Sequence, residues 1–212
     1  MDIPILFRDD RFVVLNKPAG LPVHAGRAGG PSVEDHFPAI SRRRDGPWLA
    51  HRLDTDTAGC LVVALRKAAL IAAQAEFAAG RAGKTYWAVV VGGPADDSGL
   101  ISAPLAKLTT GRAWKMQIRP GGQPAVTAWQ VLGRDNGRAW LELCPQTGRT
   151  HQVRAHCAAL GCPILGDKIY GGGPGTLHLL ARAIDLPLVP PVTAIAPPPA
   201  HMQAALRGCG WA

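Results

Sequence analysis

Negative charge is scarce in this chain. Fifteen Asp and Glu stand against 23 Lys and Arg, a net +8 over 212 residues, with an isoelectric point near 9.7. A basic excess excludes no fold, but it points to polyanionic partners, nucleic acid first among them. Cysteine is scarce too. Cys60, Cys144, Cys157, Cys162 and Cys209 are an odd number with no Cys-x-x-Cys pair. That spacing argues against a zinc ribbon or a thioredoxin-like centre and fits reduced thiols in the cytoplasm. No apolar run approaches the roughly 18 residues a membrane span needs. The start Met1-Asp2-Ile3-Pro4 lacks the basic and apolar regions of a secretory signal. No Gly-Lys-Ser/Thr follows Gly171-Gly172-Gly173, so that run is not a phosphate loop. No internal repeat, heptad pattern or linker is visible, which leaves one domain over 1–212.

What is present is a chain that is 47% apolar, enough for a sizeable core. Short apolar runs at 5–7 and 12–15, split by Arg8-Asp9-Asp10-Arg11, read as a hairpin-like start. The stretch 16–24 is a rigid loop with two prolines, and 26–47 is an exposed segment with a short helix near 33–37. Apolar, β-branched or aromatic composition marks strands at 60–65 and 84–91, and more weakly at 100–105, 113–118 and 125–132. Asp135-Asn136-Gly137 joins the last of these to 139–143 in a hairpin, because Asn and Gly both tolerate positive φ. Ala-rich 68–79, closed by Gly80, reads as a helix, as does 150–160 with Val153, Cys157 and Leu160 on one face. After a tight loop at 163–167, the glycine run at 171–175 reads as flexible, and 177–184 as a last apolar segment. Prolines between 187 and 199 predict extended chain with little regular structure. Many short strands with two or three helices, in no strict βαβ order, imply an α+β fold with a mixed, mostly antiparallel sheet.

The chemistry concentrates in His51-Arg52-Leu53-Asp54-Thr55-Asp56-Thr57-Ala58-Gly59, a charged loop feeding the apolar run Cys60 to Leu65. By itself it also suits a surface turn stapled by Arg and Asp. A carboxylate such as Asp54 serves as a nucleophile if it stays ionised and is held still, and an arginine within about 4–6 Å does both. Arg154 is the better candidate for that arginine than Arg52, and the alternative for Arg154 is a surface helix arginine. Asp56 is open to pairing with Arg52 or to a turn role. Arg149, Thr150 and His151 line a helix start that suits an anion. Tyr86 lies mid-strand, either as a half-buried aromatic or as a surface for a flat ring. His151 and His156 are five apart and share a helix face poorly, which argues against a metal site. Arginines cluster at Arg42-Arg43-Arg44, a solvated face or a phosphate contact.

Taken together these stretches resemble the RluA-type RNA pseudouridine synthases. His51 to Gly59 is similar to their H-R-L-D-x-x-T-S-G motif, and Lys84-Thr85-Tyr86-Trp87-Ala88-Val89-Val90 to their K-x-Y-x-A-x-V strand. Gly148 to His156 with Pro163 to Asp167 and Tyr170-Gly171 matches their third motif. Lys17 to His24 and Leu177 to Ala181 match the loop near their N-terminus and their C-terminal run. The matches follow in order along nearly the whole chain. Ala58 stands where the family usually has serine, which removes one hydroxyl and leaves the nucleophile. The resemblance implies a pseudouridine synthase fold in a short form without an S4-like N-terminal domain. It implies isomerisation of uridine in rRNA or tRNA stem-loops, with no cofactor and no metal; the expected state is a cytoplasmic monomer. Asp54 would be the nucleophile, Arg154 would pair with it and keep it ionised, and Tyr86 would pack against the uracil. Arg52 would fill the gap left by a flipped nucleotide, since a stacked base cannot be reached, and Arg149, Thr150 and His151 would contact RNA. Two other classes compete: a non-catalytic RNA-binding factor on the same fold, and a glycoside hydrolase using Asp54 and Asp56. The second needs carboxylates about 5–9 Å apart across the bond, which residues two apart in a loop rarely supply.

Overall fold

The computed structural model describes residues 2–26, 29–42, 45–111 and 113–212; Arg43 and Arg44 of the arginine cluster fall outside them. In chain order the elements are β1 (Ile5–Arg8), β2 (Phe12–Lys17), a 3-10 turn (Val33–His36), α1 (Phe37–Ile40), β3 (Trp48–Leu49), β4 (Ala58–Ala64), α2 (Lys67–Ala78) and β5 (Gly83–Val91). There follow β6 (Ser98–Ser102), β7 (Leu105–Thr110), β8 (Ala113–Ile118), β9 (Val126–Asp135), β10 (Arg138–Pro145), α3 (Gln152–Ala159), β11 (Leu179–Leu186), β12 (Val192–Ile195) and α4 (Ala200–Gly208). This is the expected α+β fold with a mixed, mostly antiparallel sheet. The chain divides into two compact units, Met1–Lys84 with Leu180–Pro198, and Thr85–Leu179 with Pro199–Ala212. No helix among the described residues is long and apolar enough to cross a membrane.

In the first unit the strands run in the order β1-β2-β4-β11, with β3 also on β4 and β12 on β11. The pairs β1–β2, β2–β4 and β11–β12 are antiparallel, whereas β4 and β11 run parallel through Ala58–Leu180 and Gly59–Ala181. Both faces of β4 are covered: all seven residues are buried. That is why its sequence is an unbroken apolar run instead of an alternating one. The proline-flanked stretch holds a strand after all. Val192–Ile195 lies between Pro191 and Pro197, carries no proline itself, and pairs with β11 on one side.

In the second unit the middle strands are buried on both faces: Ala88, Val89 and Val90 of β5 and Ala139, Trp140 and Leu141 of β10 are all buried. The strand order there is β5-β10-β9-β6, with β7 and β8 forming a separate hairpin. Ala88 and Val90 of β5, Ala139, Leu141 and Leu143 of β10 and Trp129 of β9 face Val153 and Cys157 of α3 in one apolar cluster with Ile164, Leu177 and Leu179. The β9–β10 turn is the expected Asn136-Gly137, with φ of 25° and 77°. Helix α4 was not legible beforehand. It buries Met202, Ala205 and Leu206, and its end presses on β9 so closely that a Cβ on Gly133 would lie 1.7 Å from the Cys209 carbonyl oxygen. The start of the glycine run is packed at Gly172, whereas nothing lies within 4 Å of a Cβ built on Gly171, Gly173 or Gly175. A Cβ on Gly172 would lie 1.6 Å from the Ile164 carbonyl oxygen, and the amides of Gly171 and Gly172 both donate to the Asp167 carbonyl.

Candidate active site

In the first unit the charged loop is a turn, closed by the Thr57 amide donating to the Asp54 carbonyl at 3.1 Å. Asp54 is half-buried, Arg52, Thr55 and Asp56 are exposed, and Thr57 is buried. The turn is stapled from below by a lysine. Lys17 at the end of β2 is fully buried, and its ammonium donates to the carbonyl oxygens of Pro18 at 2.9 Å, Leu21 at 2.8 Å and Thr55 at 2.9 Å. The Gly20 amide donates to the same Thr55 oxygen at 2.9 Å. Burial brings the Lys17 pKa down to about 8, against the pull of the Asp56 and Asp54 charges. The loop expected at 16–24 therefore begins two residues later, after Lys17, and the last side chain of β2 holds the Asp54 turn.

At the front of the turn, His51 lies against the Phe77 ring at 4.9 Å and accepts the Val62 amide on Nε2 at 3.0 Å. Desolvation holds its pKa down at about 4, with the Lys84 charge adding and a backbone hydrogen bond at Arg52 opposing. At the back, Gly59 has φ +109° and runs so near β11 that a Cβ would meet the Ala181 carbonyl oxygen at 2.2 Å. Ala58, in the place of the family's serine, is buried at the first position of β4 opposite Leu180.

In the second unit the candidates gather at the start of α3. Gln152 organises the approach: its Oε1 accepts from the Thr147 hydroxyl at 2.7 Å and the Arg149 amide at 3.0 Å, and its Nε2 donates to the Val126 carbonyl and the Thr127 hydroxyl. His156, one turn later, bridges Thr127 and the Ala103 carbonyl and serves the fold. Arg149 donates from Nε to the Pro124 carbonyl, and Thr150 is exposed. His151 caps the helix in the left-handed region at φ 51°, a strained setting for a residue with a Cβ. Its ring stacks on Trp114 of β8 at 4.9 Å, and Nδ1 lies 3.2 Å from the Tyr170 hydroxyl.

Arg154 is not a surface helix arginine; it is only 4% exposed. The carboxylate its Nε and Nη2 fork onto is Asp167, at 2.8 and 2.9 Å, a partner the sequence did not suggest. Tyr86 is half-buried against the apolar cluster that contains Val153 and Cys157 of the same helix. The structure thus groups Arg52 with Asp54 in one unit, and Arg149, Thr150, His151, Arg154 and Tyr86 in the other. Sequence reasoning quoted Lys17, Gln152, Asp167 and Tyr170 within the matched motifs but gave none of them a role of its own. The available signals were a lysine closing an apolar strand and a lone acid in the apolar loop Pro163-Ile164-Leu165-Gly166-Asp167. Among the described residues no group of three or more His, Cys, Asp or Glu is arranged to hold a metal ion.

Comparison with known proteins identifies the family. A family model described as RNA pseudouridylate synthase matches residues 11–159. An uncharacterized RNA pseudouridine synthase of Zymomonas mobilis is 36% identical over 204 residues, 92% of this chain and 93% of the relative. Another, from Synechocystis, is 37% identical over 225 residues, 96% of this chain and 68% of the relative. Among solved structures, human RNA pseudouridylate synthase domain containing 4 superposes with a TM-score of 0.82 at 30% identity, over 97% of this chain and 92% of that one.

Proposed function

The chain belongs to the RNA pseudouridylate synthase family, and from that premise we propose that it acts on one uridine of an rRNA or tRNA stem-loop, with Asp54 as nucleophile and the target nucleotide flipped from its stack. As an RNA pseudouridine synthase it isomerises uridine: the N1–C1′ bond breaks, the uracil turns, and C5 bonds to C1′. The C5 proton leaves and N1 gains one, so no atom is added or lost. In our reading Arg154 is the cationic partner of Asp54, Tyr86 packs against the uracil, and Arg52 fills the place of the flipped base. Arg149, Thr150 and His151 bind the RNA flank, helped by the net +8 charge. His151 does so through the surface it shares with Trp114. We place the enzyme in the cytoplasm as a monomer, and five unpaired thiols support a reducing compartment.

The observation that carries this reading is the way the Asp54 turn is held. A buried ammonium, a second donor from Gly20 and the turn's own Thr57–Asp54 bond fix its backbone. Such rigidity is what a nucleophile aimed at a sugar carbon requires. The test is incubation with unmodified rRNA and tRNA transcripts, followed by pseudouridine mapping. One dominant site is expected, with Asp54→Asn slower by about 10³-fold or more. A site formed equally well by Asp54→Asn refutes the nucleophile.

A further inference from the structure

Arg154 is held from two sides by the turn at 167–170. Its Nε and Nη2 meet the two oxygens of Asp167 at 2.8 and 2.9 Å. Asp167 is itself completely buried and cannot turn. Its Oδ1 also accepts the amides of Ile169 at 3.0 Å and Tyr170 at 3.1 Å, and its own amide donates to the Ile164 carbonyl at 3.0 Å. The loop around it has no slack. A Cβ on Gly166 would lie 2.1 Å from the Thr176 carbonyl oxygen, and Gly172 is packed as tightly on Ile164. Three residues on, the Tyr170 ring lies beside the same guanidinium, 5.4 Å from Cζ to the ring centroid. The Tyr170 hydroxyl accepts the Met116 amide at 2.9 Å and meets His151 Nδ1 at 3.2 Å, so the ring is anchored to β8 and to the start of α3.

Two parallel N–H···O bonds fix the plane of a guanidinium, and an aromatic ring against it resists tilting. A buried ion pair is weak evidence for stability, because desolvation of both charges offsets their attraction. It is a good way to preorganise a charge that must already point correctly when the reaction begins. We propose that Asp167 is a positioning residue of the isomerisation, which with Tyr170 sets the orientation of Arg154 for service to the catalytic carboxylate. This inference rests on the reading of Arg154 as the partner of Asp54.

Asp167→Asn is nearly isosteric. Its side-chain oxygen still accepts from Ile169 and Tyr170, while the charge facing Arg154 is gone. On an unmodified transcript carrying the mapped uridine, and with the fold verified by circular dichroism, the single-turnover rate should fall by about 10²-fold while RNA affinity stays within about threefold. An unchanged rate overturns the proposal. So does a loss shared equally by rate and affinity, which is what a merely structural staple gives. Should the Asn variant not fold, Tyr170→Leu decides, because that site is only half-buried. A rate about tenfold lower at unchanged affinity supports the proposal, and a wild-type rate overturns it. Asp54→Asn and Arg154→Met run alongside. Loss in Asp54→Asn with full activity in Arg154→Met refutes the role given to Arg154. Loss in both with a wild-type Asp167→Asn refutes only the positioning.

Discussion

The Lys17 ammonium lies under the Asp54 turn and donates to the Thr55 carbonyl at 2.9 Å, thirty-eight residues away in sequence. The same nitrogen binds the Pro18 and Leu21 carbonyls, so one side chain ties two loops together. Lys17→Met fills the space and removes all three bonds. Buried carbonyls that lose a charged donor make this costly, and a loss of about 2–4 kcal/mol in urea unfolding is expected. The charge itself is held at some expense. With its pKa brought down to about 8 by burial, folded Lys17 releases its proton before the unfolded chain does near 10.5. This group's contribution to stability therefore rises from about pH 8 to 10.5. A lysine signal titrating near 8 by NMR, absent from Lys17→Met, checks the assignment; a midpoint near 10.5 refutes it.

His51 gives the opposite limb of the pH profile. Its Nε2 accepts the Val62 amide, so the neutral ring must carry its proton on Nδ1. Desolvation holds its pKa near 4, whereas the unfolded chain protonates near 6.5. Between those values acid favours the unfolded chain. The contribution is full above 6.5 and declines as pH falls to about 4. An NMR titration should show His51 Nε2 unprotonated at pH 5.5, and His51→Gln should flatten the stability slope between pH 6.5 and 4. A ring that titrates at 6.5 contradicts this.

Much of this was legible because the local signals were strong. Asn136-Gly137 between two apolar runs forced a two-residue hairpin, and β-branched and aromatic composition marked β5 as a strand. The nine-residue motif was recognisable because its residue types are rare in one short loop. Three things were hidden. Helix α4 is short and amphipathic only against β9, and the prolines before it masked its start. The contacts of Asp167 depend on a glycine-tight turn that no periodicity reveals. Lys17 reads as an ordinary surface lysine until the carbonyls of two distant loops converge on it. What failed to show was tertiary in each case: polar groups satisfied by partners far along the chain.

The thiols give a simple check on packing. Cys144 is exposed, while Cys60, Cys157, Cys162 and Cys209 are buried. Burial pushes the Cys60 thiol up to about 11 and raises Cys157 as well. Cys144 is raised too, chiefly by desolvation, with the nearby Glu142 carboxylate adding and a Thr85 hydrogen bond opposing. Reaction follows the thiolate. Ellman's reagent should titrate one thiol in the native protein, faster as pH rises, and five after denaturation. Cys144→Ser should abolish the native reaction. A second fast thiol would show that the packing around the others is wrong.

Gly59 is the position where the motif and the fold constrain each other most. Its φ of +109° is open to glycine and strained for any other residue, and a Cβ there would sit 2.2 Å from the Ala181 carbonyl oxygen and 2.8 Å from Leu180 Cδ1. The obstacle is backbone of a paired strand and cannot step aside. Gly121 separates the two effects, since it has φ +79° with nothing within 4 Å of a built Cβ. Gly121→Ala should lose only about 1 kcal/mol, from the backbone conformation alone. Gly59→Ala carries that strain and must also part β4 from β11, so a loss above about 3 kcal/mol is expected in urea unfolding. Because the parting begins at the Ala58–Leu180 pair, the turn before it should loosen, with faster amide exchange at Thr57. If Gly59→Ala proves no worse than Gly121→Ala, the close passage of β4 along β11 is not what demands glycine in this motif.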